Sequence, residues 1–259
     1  MVSLLTHEIE VVRTGPVLHI RLNRPGKRNA LTWAMYETMT DALADGGTDD
    51  AIRVIQFSGA GDAFCAGNDL GVFLADPPTG LDGPVFRFLR TVSTVKKVLV
   101  AAVHGAAVGL GTTLLLHCDL VVAARSARLS MPFVNLGLVP EAASTLLLPR
   151  AIGHLRAAKL VLLGQPIDAE TALRWGLVNR VVDDDALMGV ADELTSHIGS
   201  LPPGAVRLSK GLLKDDQAGI AQRIEQEATI FLECLSGPEF HEAGTAFLDK
   251  RPPNFSRFQ

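Results

Sequence analysis

A continuous apolar run in the middle of the chain constrains the fold more than any other segment. Residues 98–103 read Val-Leu-Val-Ala-Ala-Val without polar alternation, which is typical of a strand covered on both faces. A glycine-containing turn follows at 104–109, and a second apolar run follows at 110–116. If the second run is helical, its free N–H groups point towards the turn and favour negative charge there. A tight buried strand-to-helix crossover without any chemistry explains the same pattern.

The composition excludes several classes of protein. The chain has 259 residues, of which 47% are hydrophobic and 20% are charged, with a formal net charge of −4. At this length we expect one large core. We expect no nucleic-acid partner, since there is no Lys/Arg cluster. We also expect no membrane span, since no apolar run reaches ~18 residues. Three cysteines far apart in sequence fit reduced thiols, and residues 1–10 lack the apolar core of a secretory signal. These features predict a cytoplasmic protein.

Strand-like and helix-like segments alternate along residues 1–200, which predicts an α/β core. Thr14-Gly15-Pro16 separates two β-type runs and predicts a hairpin, and Thr32 is a candidate cap for the helix that follows. From Leu201-Pro202-Pro203-Gly204 onwards, a segment typical of a hinge, the chain has helical spacing. We therefore predict a core at 1–200 and a helical C-terminal subdomain at 201–259. The predicted strands lie at 9–13, 17–22, 54–57, 98–103, 120–124 and 178–182.

Several common catalytic motifs are absent from the sequence. There is no G-x-S-x-G nucleophile elbow, no G-x-x-x-x-G-K-[ST] phosphate loop and no G-x-G-x-x-G dinucleotide motif. The seven histidines are scattered, without an H-x-x-x-H pair, and there is no C-x-x-C pair. We therefore expect no metal, and we predict structural roles for His104 and His117.

Three cations, Arg24, Lys27 and Arg28, lie on one loop at 23–31 that contains proline and glycine. Such a loop is commonly a solvated charged turn. The alternative is a clamp that binds the phosphates of a ligand.

Two glycine-containing loops and one later carboxylate form the strongest candidate site. The loops are residues 59–70 and 104–111, each directly after a predicted buried strand, and the carboxylate is Glu141. One backbone N–H from each loop could hold one oxygen atom, and the glutamate could move protons. This combination suits proton abstraction next to a carbonyl, where the enolate needs donors and the carbon acid needs a base. A carboxylate near a helix start is also favourable for stability alone.

Four motifs together resemble the crotonase superfamily, also called the enoyl-CoA hydratase/isomerase family. They are Asn23-Arg24-Pro25 with Asn29-Ala30-Leu31, the run Ala-Phe-Cys-Ala-Gly-Asn-Asp-Leu at 63–70, the strand and turn at 101–111, and Cys118-Asp119. The resemblance implies an α/β fold, a ClpP-like crotonase spiral of ββα units, whose helical C-terminal subdomain packs in a homotrimer or a dimer of trimers. It also implies an acyl-CoA thioester substrate, no metal, and no cofactor apart from the coenzyme A of the substrate.

The resemblance also implies roles for individual residues. The backbone N–H groups of Asn68 and Leu110 correspond to an oxyanion hole, and Glu141 corresponds to the acid/base residue. Lys27 and Arg28 correspond to positions near the coenzyme A phosphates, which Lys250 of a neighbouring subunit could also reach. The remaining substrate-binding positions are Ala30, Ala66, Gly67, Asp69, Leu70 and Phe133.

The chain departs from the water-adding members of the family at two positions. Those hydratases position water with two glutamates, and here Thr113 and Phe133 stand at the corresponding places. Neither side chain can activate water by proton transfer, which argues against a typical hydratase. Glu141 instead lies in Leu-Gly-Leu-Val-Pro-Glu-Ala-Ala-Ser at 136–144, which resembles the branch that converts 3-enoyl-CoA into trans-2-enoyl-CoA. The segments that resemble peroxisomal-type members of that branch are 66–70, 107–109 and 132–137.

The leading hypothesis is therefore a Δ3,Δ2-enoyl-CoA isomerase of fatty-acid β-oxidation in which Glu141 is the one base. Apolar neighbours at Phe133, Val134, Leu136 and Leu138 predict a raised pKa for Glu141. Two alternatives stay open. One is another acyl-CoA reaction of the family, such as hydration at an unusual site, a lyase reaction or thioester hydrolysis, and the other is a homologue that binds acyl-CoA without catalysis.

Overall fold

The computed structural model describes residues 8–214 and 216–258, in which two β-sheets and a set of helices surround a common core. The strands are β1 (Ile9–Thr14), β2 (Val17–Leu22), β3 (Val54–Gly59), β4 (Val98–Val103), β5 (Ala106–Val108), β6 (Leu120–Ala124), β7 (Arg128–Ser130), β8 (Ile167–Asp168) and β9 (Arg180–Val182). The α-helices are α1 (Trp33–Thr48), α2 (Leu70–Ala75), α3 (Pro84–Thr94), α4 (Leu110–Thr113), α5 (Ser144–Ile152), α6 (His154–Leu163), α7 (Ala169–Trp175), α8 (Leu187–Ser200), α9 (Pro203–Leu213), α10 (Gln217–Leu235) and α11 (Pro238–Leu248).

The main sheet has the strand order β1-β2-β3-β4-β6-β9. β1 and β2 pair antiparallel as the predicted hairpin, and all other neighbours pair parallel. Every residue of β4 is buried because its two faces meet different helices. Leu99, Ala101 and Val103 join the cluster that contains α1 and α3, whereas Val100 and Ala102 pack on the side of α8. The prediction of a strand at 98–103 covered on both faces is confirmed.

A second sheet, β5-β7-β8, was not expected from the sequence. β5 pairs parallel with β7, and β7 pairs antiparallel with β8. These strands have only two or three residues, so no apolar alternation could mark them. β4 leads through a short turn into β5, and β6 leads through a short turn into β7. The same arrangement, a strand of the main sheet followed by a strand of the second sheet, therefore occurs twice along the chain. The predicted α/β class is confirmed.

Two helices near the candidate site differ from the expectation. α4 covers only the first part of 110–116, and a 3-10 turn covers the rest. Glu141 does not lie at a helix start, because α5 begins at Ser144 and Glu141 belongs to the turn before it. The predicted cap of α1 is confirmed, since the Thr32 hydroxyl accepts a hydrogen bond from the Met35 N–H at 3.4 Å.

The C-terminal helices pack directly on the core. α9 begins inside the predicted hinge at 201–204, and α10 contacts α3, α5 and α11. Buried Lys210 of α9 donates to Asp119 Oδ2 at 2.7 Å and to the Lys97 carbonyl at 2.6 Å, which ties this helix to the region around β4. The helical C-terminal region is confirmed, while its status as a separate subdomain at 201–259 stays a prediction.

Among the described residues, the helices are too short or too polar for any of them to cross a membrane. The absence of a secretory signal was predicted from residues 1–10, of which 1–7 lie outside the described residues.

Candidate active site

Two backbone segments meet beyond the ends of β3 and β4. Cys65 forms a parallel bridge with Ala107 of β5. Its N–H donates to the Ala106 carbonyl at 2.9 Å, and its own carbonyl accepts from the Val108 N–H at 2.9 Å. The tertiary structure therefore brings the two predicted glycine-containing loops side by side.

Glycine is required where these loops touch. Gly67 has a φ of +85°, and a Cβ placed there would lie 2.9 Å from the Val108 carbonyl oxygen. A Cβ on Gly111 would lie 2.6 Å from the carbonyl oxygen of Cys65. Both distances are too short for a real side chain, so only glycine lets the backbones approach this closely.

The N–H groups of Asn68 and Leu110 can act as donors at this junction. Within the described residues neither N–H donates to a backbone carbonyl, and both residues line the same cavity. The buried Tyr36 of α1 holds the Asn68 side chain, because its hydroxyl donates to Asn68 Oδ1. Two N–H groups from neighbouring segments can stabilise one oxygen anion, and each donor of this kind is typically worth ~2.7–4 kcal/mol of barrier.

A largely apolar cavity of about 610 Å³ opens in front of these two residues. Its apolar wall includes Phe73, Leu138 and Phe231, which suits an acyl chain. Most of the predicted substrate-binding residues line it, namely Lys27, Ala30, Ala66, Gly67, Asp69, Leu70 and Phe133.

The predicted cationic clamp is only partly present at the cavity. Lys27 lines the cavity, whereas Arg28 is not among its lining residues. Arg24 is engaged within the protein, since it pairs with Asp69 at 2.7 Å and with Glu8 at 2.9 Å. Of the three loop cations, Lys27 is therefore the one placed to meet a ligand in this cavity.

Glu141 lies behind the wall of the cavity. It is 1% exposed and is not among the lining residues, although Leu110 and Leu138 are. Among the described residues, neither carboxyl oxygen makes a hydrogen bond of regular distance and angle, although the Thr113 hydroxyl lies near the carboxyl. Burial raises the pKa of Glu141 to about 8, the charge of Glu227 adds to the rise, and the neighbouring Thr113 hydroxyl opposes it. A carboxyl with this pKa can accept a proton and return it near neutral pH.

A strained turn positions Glu141. Ala142 and Ala143, which follow it, have φ values of 65° and 53°, a left-handed conformation that residues other than glycine rarely adopt. His117 Nε2 lies 2.8 Å from the Ala142 carbonyl oxygen, and burial lowers the pKa of His117 to about 4. His104 Nε2 similarly lies 2.9 Å from the Gly61 carbonyl oxygen. Both histidines thus hold backbone, as predicted.

Two residues of this region were not predicted, Glu227 and Tyr36. Glu227 is 5% exposed and lies on the buried face of α10 together with Ile224, Ala228 and Phe231. A charged residue on an apolar helical stripe is a signal that could have identified Glu227. Tyr36 lies on the buried face of α1, and nothing in the local sequence separates it from an ordinary core residue.

Metal ligands and reactive thiols are also relevant to the possible chemistry. In residues 8–214 and 216–258, no group of three or more His, Cys, Asp or Glu side chains is placed to hold a metal ion. Burial raises the pKa of Cys65, which lies beside the cavity loops, to about 12. The Cys65 thiol therefore stays protonated at neutral pH and is a poor nucleophile.

The chain belongs to the enoyl-CoA hydratase/isomerase family, whose model matches residues 13–257. The structure of Pseudomonas aeruginosa OdaA has 46% sequence identity and a TM-score of 0.91, and the match covers 94% of this chain and 99% of that chain. The resemblance to this family and the crotonase fold that it implied are both confirmed.

Similar proteins carry out several different reactions. The chain is 36% identical to the 1,2-epoxyphenylacetyl-CoA isomerase of Escherichia coli K12, over 93% of this chain and 95% of that protein. It is 35% identical to the 2,3-dehydroadipyl-CoA hydratase of the same organism, over 96% of this chain and 98% of that protein. It is 33% identical to enoyl-CoA delta isomerase 2 of Rattus norvegicus, over 94% of this chain and 64% of that protein. An acyl-CoA substrate is consistent with this family.

Proposed function

We propose that the protein is a Δ3,Δ2-enoyl-CoA isomerase, which converts a 3-enoyl-CoA thioester into trans-2-enoyl-CoA. The observation that carries this proposal is the buried carboxyl of Glu141, which lies near the Thr113 hydroxyl of α4 and makes no hydrogen bond of regular geometry among the described residues. Thr113 and Phe133, at the places where water-adding members carry glutamates, supply no further carboxylate. The similarity to rat enoyl-CoA delta isomerase 2 supports the same reaction.

One base suffices because C2 and C4 of the substrate lie on one face of a planar dienolate. The Glu141 carboxylate removes a proton from C2, and the electron pair of that C–H bond moves into the dienolate. The thioester oxygen gains negative charge, which the N–H groups of Asn68 and Leu110 stabilise. Protonated Glu141 then delivers the proton to C4, which leaves the double bond between C2 and C3.

Because Glu141 is buried, binding of the substrate has to open a path from the cavity to its carboxyl. Because Glu141 is 1% exposed and lies outside the cavity lining, wall side chains such as Leu138 must shift when the acyl chain enters. The burial of the Glu141 carboxyl keeps water away from it, which favours proton transfer between carbon atoms over addition of water. Burial, together with the charge of Glu227, also raises the pKa of Glu141 and strengthens it as a base.

The phosphates of coenzyme A require cations, and one of the candidate cations comes from a neighbouring subunit of a proposed oligomer. Lys27 at the cavity is the candidate for the phosphates, with Arg28 and, from a neighbouring subunit, Lys250 as further candidates. Large apolar side chains are exposed on α9, namely Leu208, Leu212 and Leu213, which supports a homotrimer or dimer of trimers formed through the helical region at 201–259. We propose no metal and no cofactor beyond coenzyme A, and a cytoplasmic location.

A panel of thioesters tests this proposal with purified protein. We expect the protein to convert 3-hexenoyl-CoA to trans-2-hexenoyl-CoA, and chromatography of the product measures this conversion. We also expect slow or no addition of water to crotonyl-CoA. Hydration of crotonyl-CoA at a rate above that of isomerisation would replace the proposal with a hydratase of unusual site. Binding of acyl-CoA without turnover of either substrate would replace it with a non-catalytic binding protein.

A further inference from the structure

We propose that Tyr36 is a positioning residue for Asn68, and that its buried hydroxyl fixes the segment whose backbone N–H meets the thioester oxygen. This inference rests on the proposed function, in which the N–H groups of Asn68 and Leu110 stabilise the dienolate. Tyr36 lies on α1 and is not among the residues that line the cavity. It would therefore act on the reaction only through Asn68, without touching the substrate.

The backbone around Asn68 sets the direction of its N–H group. Leu31 forms a parallel bridge with Asn68. The Leu31 N–H donates to the Gly67 carbonyl at 2.8 Å, and the Asp69 N–H donates to the Leu31 carbonyl at 3.0 Å. The carbonyl and the N–H of one trans peptide point in opposite directions. Because the Gly67 carbonyl points towards Leu31, the Asn68 N–H points away from Leu31 and is left for a ligand.

The two hydrogen bonds to Leu31 hold only one edge of this segment. The other edge carries the Asn68 N–H, which donates to no backbone carbonyl among the described residues. Rotation of the peptide about its anchored edge would therefore swing this donor. The side chain of Asn68 supplies the missing restraint, because its Oδ1 accepts a hydrogen bond from the Tyr36 hydroxyl. Since the side chain is held at its tip, the backbone that carries it cannot rotate freely.

The Tyr36 hydroxyl is itself held in place by the packing of its ring. Tyr36 is 0% exposed. Its ring lies edge-on to Phe88 of α3, with ring centroids 5.5 Å apart, and lies 6.3 Å from the ring of Trp33 on α1. Close packing of this kind leaves a buried ring one position. The hydroxyl is therefore a fixed point from which the Asn68 side chain is held.

The Tyr36 hydroxyl also remains protonated, so it can donate to Asn68. Burial raises the pKa of Tyr36 well above its ordinary value of 10.0, and the charges of Glu141 and Cys65 add to the rise. An ionised tyrosine could only accept hydrogen bonds. The donor that holds Asn68 Oδ1 is therefore present throughout the neutral pH range in which Glu141 would exchange protons.

The test compares Tyr36→Phe with a matched control on the same helix, Thr40→Val. Phenylalanine keeps the packed ring but removes the donor to Asn68. The Thr40 hydroxyl donates to the Tyr36 carbonyl at 2.7 Å, so its loss perturbs α1 at the same place without removing the bond to Asn68. We expect kcat for 3-hexenoyl-CoA to fall about tenfold in Tyr36→Phe with little change in KM, a smaller loss than the ~10²–10³-fold that removal of a whole donor costs. We expect neither constant to change in Thr40→Val.

An infrared measurement separates positioning from a purely structural role, and it needs no turnover. Butyryl-CoA with an isotopic label at its carbonyl carbon has no double bond to isomerise, and hydrogen bonds to its thioester oxygen lower the carbonyl stretching frequency. We expect the bound band to lie below that of the free thioester in the wild type and in Thr40→Val. In Tyr36→Phe the band should move back towards the free position. A folded Tyr36→Phe protein with the wild-type band would overturn the proposal, since loss of stability alone would not move the band.

Asn68→Ala keeps the proposal testable if Tyr36→Phe does not fold. This variant breaks the same hydrogen bond from its other end and retains the backbone N–H, so the band should move in the same direction. A folded Asn68→Ala protein with the wild-type band would refute the role of Tyr36. The expected band movement in a protein that isomerises no 3-enoyl-CoA would support the positioning role and reject the proposed function. Isomerisation by the wild type with an unmoved band in Tyr36→Phe would do the reverse.

Discussion

Replacing Glu141 with glutamine separates its role in proton transfer from its effect on stability. The amide has nearly the shape of the carboxyl but cannot accept the C2 proton. Positioned acid/base groups contribute about 10²–10⁴-fold to rate. We therefore expect kcat/KM for 3-hexenoyl-CoA to fall at least about 100-fold in Glu141→Gln, with the N–H groups of Asn68 and Leu110 left in place.

The same change should stabilise the fold at high pH. Burial raises the pKa of Glu141 from 4.5 to about 8, so the folded protein retains a proton that the unfolded chain has lost. The favourable contribution of this retained proton to the free energy of unfolding is complete below pH 4.5 and is lost as the pH rises through 8. The loss is about 1.4 kcal/mol per pH unit, which gives at most about 5 kcal/mol over this window. Glutamine does not ionise, so Glu141→Gln should be more stable than the wild type at pH 8 and nearly equal at pH 5.

Two assays check these expectations on one set of proteins. Isomerisation of 3-hexenoyl-CoA gives the rate, and urea unfolding at pH 5 and pH 8 gives the free energy of unfolding. Glu193→Gln, an exposed position on α8, is the matched control and should change neither quantity. A loss of activity below about tenfold would refute Glu141 as the base. A stability gain that is the same at both pH values would refute its burial as the cause of the raised pKa.

Two further substitutions test the donor loops and the coenzyme A contact. Gly67→Ala should abolish most activity and destabilise the protein by about 1–3 kcal/mol, because its Cβ would lie 2.9 Å from the Val108 carbonyl oxygen at a φ of +85°. Gly15→Ala, at a φ of +57° with nothing within 4 Å, is the control for backbone strain alone and should keep full activity; equal activity in both variants would contradict the close approach. Lys27→Gln should raise the KM for the thioester several-fold with little change in kcat, and the effect should shrink in high salt. Lys96→Gln removes the same charge from a separate cavity, and an equal rise in KM there would exclude a specific phosphate contact.

Much of the fold could be predicted because its signals are local. A continuous apolar run identifies β4, and Thr14-Gly15-Pro16 identifies the hairpin of β1 and β2. Thr32 caps α1 through its own hydroxyl. The second sheet could not be predicted in this way, since the strands β5, β7 and β8 are too short to show a period. The start of α5 was also missed, because the left-handed turn before it is held by His117 from a distant part of the chain.

The features of the candidate site likewise divide into those that the sequence reveals and those that it does not. The motifs around Asn68 and Leu110 are contiguous, so the sequence alone was sufficient to assign the family. It also selected the N–H groups of these two residues as candidate donors, whose role stays a proposal. It likewise selected Glu141 as the candidate base, and this role also stays a proposal. The ion pair between Arg24 and Asp69 was not visible, because a charge pattern does not reveal which cation is already neutralised within the protein.

The sequence by itself determined the chain's family, its buried central strand and the residue types of the site. Only the tertiary structure decided that the two glycine-containing loops touch at Gly67, that Glu141 lies behind the cavity wall, and that Glu227 of α10 accepts hydrogen bonds from Thr145 near this turn. The physical reason is that hydrophobic periodicity and turn chemistry act between near neighbours in sequence. The pKa of a carboxyl depends instead on burial and on charges from any part of the chain, and these exist only once α10 has packed against the turn that carries Glu141.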